Sequence, residues 1–139
     1  MEVPFPFEFN VHGVPVSLQS KRPESREQWK GRVRDASSVG LPKPHFASTD
    51  PLAVTIFYFP PEAMQGDVDN IVKPILDALS RHLYCDDRQI ERVVVQKFEP
   101  QRLVEFVKPS SVLQDALAAE RPIVHISVSN DPLAELSIV

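Results

Sequence analysis

Residues 66–90 read GDVDNIVKPILDALSRHLYCDDRQI, and the fold turns on this stretch. Ile71, Val72, Ile75, Leu76, Ala78, Leu79 and Leu83 recur at helical spacing, which predicts an amphipathic helix over 70–83. Pro74 fits only in the first turn, because a proline in a helix interior costs ~3 kcal/mol. The helix must then start close to Asp69 or Asn70, both favoured N-cap types. Asp69, Lys73 and Asp77 follow at intervals of four, so they line the face opposite Ile71, Ile75 and Leu79. Asp67 sits just ahead of that face, and Asp86-Asp87 follow its far end after a turn. Such a helix is only ~20 Å long at ~1.5 Å per residue, so a strand starting at Asp87 could return beside it. Spacing alone leaves open whether Asp87 then meets Asp67 and Asp69.

Working outward, strand and helix patterns alternate. Phe5, Phe7, Phe9 and Val11 alternate with other types, as a half-buried strand requires. His12-Gly13 reads as a turn. A helix is expected over 23–36, with Trp29 and Val33 on one side, and a loop over 37–50. Residues 52–59 (LAVTIFYF) are the best strand candidate, being β-branched and aromatic, and Pro60-Pro61 ends them. Strands are also expected over 91–98 and 123–128, with a short helix between them capped by Ser110 or Ser111. The economical architecture is α+β: a single domain over 1–130, a mixed sheet with helices packed on it, and a loose tail over 131–139.

Composition bounds the class. The 139 residues are 42% hydrophobic and 24% charged, which excludes wholesale disorder. No apolar run reaches the ~18 residues of a membrane helix. The acidic, proline-containing start predicts no secretory signal. One cysteine excludes an intramolecular disulfide framework and a multi-cysteine zinc site, so a cytoplasmic setting is expected. The net charge is −4, not that of an obvious nucleic-acid binder. That average hides an asymmetry. Between Lys21 and Arg34 stand six bases (Lys21, Arg22, Arg26, Lys30, Arg32, Arg34) against two acids, whereas 62–91 holds seven acids against three bases.

Clustered carboxylates beside a lysine have a chemical use. Mg²⁺ and Mn²⁺ prefer oxygen ligands, and a metal held by such a cluster can polarise a phosphoryl group and activate water. A lysine there can neutralise phosphate charge. The same residues also have plain structural uses. Asp69 or Asn70 can cap the helix, Lys73 and Asp77 can form an exposed pair, and Asp86-Asp87 can be turn residues.

Taken together, D-x-D-N, a lysine three residues on, D-A-L and then D-D before a strand resemble the RusA family of Holliday junction resolvases. The strong resemblance covers residues 67–90 and extends more weakly over the strands and the basic segment. It implies a homodimeric, Mg²⁺- or Mn²⁺-dependent endonuclease acting on four-way DNA junctions. Asp67, Asp69 and Asp87 would be the metal-binding and catalytic carboxylates, and Lys73 the lysine at the scissile phosphate. Asn70, Asp77 and Asp86 match the motif in supporting roles. The positive potential for DNA would come from the Lys21–Arg34 set. The chain departs from the family where some members carry arginines, having Glu62-Ala63-Met64-Gln65-Gly66 instead. Residues 110–120 and the tail have no counterpart in the pattern. The rival readings are a junction-binding protein of this fold without cleavage, and a protein-interaction module with an acidic face.

The remaining candidates read as structural. Trp29 is expected in a core or an interface rather than stacked on a base. Phe57 and Phe59 are expected in the core, and Cys85 as a small buried residue. His82 is expected packed on the apolar side of the helix. The four histidines show no ligand spacing with one another.

Overall fold

A computed structural model describes residues 1–137. Strands β1 (Phe7–His12), β2 (Leu52–Phe59), β3 (Ile90–Lys97) and β4 (Ile123–Ser129) alternate with helices α1 (Pro23–Ser38), α2 (Val72–Leu79) and α3 (Ser111–Ala118). The strands form one sheet in the order β1-β4-β2-β3. Among the four described strands, only β2 and β3 pair in parallel. A parallel pair needs a crossover connection, and α2 provides it. The architecture is the expected α+β domain with a mixed sheet.

Alternation explains the layers. Phe7, Phe9 and Val11 of β1 turn to the same core as Leu52, Val54, Ile56 and Tyr58 of β2 and Val124, Ile126 and Val128 of β4. Trp29 and Val33 of α1 and Ile75, Leu76, Ala78 and Leu79 of α2 close that core. The opposite face carries a smaller core, in which Phe59 and Ile123 meet Phe98 and Leu113 and Ala116 of α3. β4 is buried on both faces over Ile123–Ile126, whereas β2 is buried on one face and part-buried on the other until Tyr58 and Phe59. Trp29 is 2% exposed, so it belongs to the core and not to a base-stacking surface. Among the described residues no helix is long and apolar enough to cross a membrane.

Three expectations need correction. The helix expected over 70–83 is a 3-10 turn at Val68–Ile71 followed by α2, which stops at Leu79. Ser80 is extended and Arg81 takes a φ of 61°, which ends the helix. Leu83 is still fully buried, so the apolar period continues through a turn that only looks helical in sequence. Cys85 is exposed, not buried, because Tyr84 takes the inward position before it. His82 lies beyond α2; it is half-buried, and its Nε2 is 2.9 Å from Ser37 Oγ. As for the expected tail, Ala134 N–H donates to Asp131 O and Leu136 N–H to Leu133 O; residues 138–139 lie outside the described part.

Candidate functional site

The site is built where the crossover leaves β2 and enters β3. Pro74 falls in the first turn of α2, as required. Having no N–H, it cannot bond the carbonyl of Asn70. The N–H of Leu18 does so instead, at 2.8 Å, which ties the segment before α1 to the start of α2. Asp67 precedes the 3-10 turn in an extended conformation, and Asp69 lies in its first turn. Both are exposed. Neither Asp69 nor Asn70 caps α2; its cap position is Ile71, with no side-chain bond.

Lys73 stands one helical turn before Asp77 and reaches across to Asp87. Its Nζ lies 3.0 Å from Asp77 Oδ1 and 2.6 Å from Asp87 Oδ2. The bond to Asp87, then that to Asp77, holds the Lys73 proton and raises its pKa. The other oxygen of Asp87 accepts from the Tyr84 hydroxyl at 3.0 Å, and the same hydroxyl lies 2.9 Å from Leu76 O. Tyr84 is fully buried. Burial first, then the Asp87 carboxylate, pushes its pKa far above that of a free phenol, so it remains a donor. Asp87 is thus oriented by one donor from α2 and one from the core.

The Asp86 turn is fixed by neighbours. Asp86 Oδ1 accepts from Arg88 N–H at 2.9 Å, and this bond lowers its pKa. Gln89 Oε1 accepts from the N–H of Cys85 and of Asp86, while its Nε2 donates to Ser48 O and Asp50 O. Gln89 therefore clamps the approach to β3 onto the segment before β2. Asp86 is a structural cap here.

The structure brings Lys73, Asp77 and Asp87 together. The turn carrying Asp69 packs against β3, but among the described residues no three Asp, Glu, His or Cys side chains are gathered as an ion cage. The donor chemistry of Asp67, Asp69 and Asp87, all carboxylate oxygen, fits a hard cation such as Mg²⁺ or Mn²⁺. Sequence reasoning missed Tyr84 and Gln89. A tyrosine inside an apolar run was the available signal, since its hydroxyl needs a partner once buried. Gln89 carries no such mark.

The basic segment is largely engaged within the fold. Arg26 donates to Ser20 O, Arg32 to His12 O, and Arg34 Nε to Ala78 O at the end of α2. Lys30 pairs with Glu27 at 2.8 Å. Lys21 and Arg22 are exposed just ahead of α1.

A family model described as Endodeoxyribonuclease RusA matches residues 12–105. The chain belongs to the RusA family. Membership makes it an endodeoxyribonuclease by class and implies action on Holliday junctions. The RusA match takes in α1, β2, α2 and β3 with every candidate acid, and ends before α3 and β4. The segment without a counterpart in the motif therefore leads into a strand that this sheet requires. A search of curated proteins finds no match.

Proposed function

We propose that this chain is a homodimeric, Mg²⁺- or Mn²⁺-dependent endonuclease that cuts four-way DNA junctions in recombination and repair, in the cytoplasm. Asp67, Asp69 and Asp87 would hold the ion. When bound, the ion supplies Lewis-acid charge at the phosphoryl oxygen and lowers the pKa of water. Lys73 neutralises charge on the scissile phosphate. Asp77 keeps Lys73 protonated and aimed, Asn70 ties the preceding segment to α2 through its carbonyl, and Asp86 shapes the turn. The Lys21–Arg34 set contacts the DNA backbone, led by Lys21 and Arg22, whereas Arg26, Arg32 and Arg34 share their donors with the fold. The observation that carries the reading is Lys73 between Asp77 and Asp87, inside the stretch matched by the family.

A junction-binding protein without cleavage is the second reading. The ion pair that already occupies Asp87 favours it. One experiment separates the two: a labelled four-way junction and a matched linear duplex, each with Mg²⁺, Mn²⁺ or EDTA, and with Asp69→Asn as control. Paired, metal-dependent cuts in the junction that vanish in Asp69→Asn support the nuclease. Retained binding without cuts supports the second reading. A folded, dimeric Asp69→Asn that cuts as fast as the parent removes Asp69 from the site.

A further inference from the structure

We infer that two copies of this chain join through β3, antiparallel, about a two-fold axis at Val94. This deepens the homodimer reading above and rests on it for there being a pair.

β3 is the edge of the sheet; among the described residues, β2 is its only strand neighbour. Phe98 N–H donates inward to Tyr58 O at 2.8 Å. Backbone groups alternate sides along a strand, so Glu91, Val93, Val95 and Lys97 turn their N–H and C=O outward. Such an edge is a template for another strand. It is not blunted by a proline, and its register is regular beyond the Leu52/Ala53 shift. Val93, in its middle, is 40% exposed.

The strand complements itself. With Val94 opposite Val94, Glu91 faces Lys97, Arg92 faces Gln96 and Val93 faces Val95, each pair occurring twice about the axis. The outward-turned residues Val93 and Val95 then form a hydrogen-bonded pair, as do Glu91 and Lys97. Other registers that keep outward groups paired are poorer. Centred on Val95, Glu91 would face Glu99; centred on Val93, it would face Val95. Lys97 now pairs with its own Glu99 at 3.3 Å, but its side chain is 40% exposed and free to turn.

The axis would run normal to the sheet, which keeps α1 and α2 of both copies on one side. At ~3.3 Å per residue, the two Ile90 positions would lie roughly 26 Å apart along the strands. Two Asp87 sites then open at opposite ends of one continuous eight-strand sheet, toward a single substrate.

The test uses the full chain and measures its mass in solution across a dilution series. Glu91→Lys should weaken association roughly tenfold, because two attractions become repulsions. Glu91→Lys with Lys97→Glu should restore it, and at dilutions where the chain is monomeric neither should lower the melting temperature. In a Cys85→Ser background, Val94→Cys should form a disulfide-linked dimer on mild oxidation, and Leu117→Cys on α3 should not. A dimeric parent indifferent to Glu91→Lys, with no self-linkage at Val94→Cys, overturns the β3 assignment and leaves the homodimer reading standing. A parent that is monomeric throughout overturns both.

Discussion

Two protons decide how Asp87 behaves. Lys73 keeps its proton because Asp87 and Asp77 hold it, and Tyr84 keeps its own because burial penalises the phenolate. Asp87 is therefore oriented from two sides, by the Lys73 ammonium and the Tyr84 hydroxyl. Tyr84→Phe removes one donor; Leu76 O keeps the Ser80 N–H, so the loss falls on Asp87 Oδ1. The expected loss is about 1 kcal/mol by urea unfolding. Junction cleavage should fall roughly tenfold, as a loosened carboxylate costs positioning. Unchanged cleavage would show that the phenol does not aim Asp87. His82 sets a pH dependence. Burial first, then His45 and Arg34, lowers its pKa. The unfolded chain binds that proton more readily, so the contribution is complete above about pH 6.5 and is lost as pH falls below it. Thermal melts at about pH 7.5 and about pH 5.5 should show this loss, and His82→Gln should reduce it.

Among the elements, α2 shows what patterning can and cannot convey. Arg81 at φ 61° carries a conformation that costs an L-residue roughly 1–2 kcal/mol. Arg81→Gly should raise stability by about 0.5–1 kcal/mol by chemical denaturation, part of the relief being offset by the entropy of glycine. At α3, Ser110 Oγ accepts from Leu113 N–H at 3.1 Å and donates to Glu8 at 2.7 Å. Ser110→Ala removes both bonds and should cost about 1–2 kcal/mol, read as a lowered denaturant midpoint. The strands were legible to within about two residues at each end, because alternation and β-branched runs reflect burial directly. The cap at Ser110 and the first-turn place of Pro74 were legible for the same kind of reason: each has one chemically sensible position. The end of α2 was not, because arginine gives no sign of a left-handed backbone. Nor was the meeting of Lys73 with Asp87, which depends on how a turn of seven residues after α2, Ser80 to Asp86, folds back.

Across the whole molecule, the order of strands matters more than their composition. No local pattern gave that order, since it depends on pairings between residues far apart, such as Phe7 with Val128. β4 stands between β1 and β2 and pairs with both. A chain ending at residue 122 would have β1 on one side, β2 and β3 on the other, and no strand joining them. It should show no cooperative thermal transition by circular dichroism. A sharp transition would mean that the helices alone hold the sheet halves together.

That central place of β4 has a consequence for how the protein is made. A ribosome releases β1 first and β4 last of the four strands, so the sheet cannot close while the chain is growing. β1 waits through all the intervening segments for its partner, with Phe7, Phe9 and Val11 uncovered. Long-range pairing of this kind makes closure slow and leaves the waiting strands open to the wrong neighbours. Yield in a cell should thus depend on what shelters the nascent N-terminal half until residues 123–129 emerge.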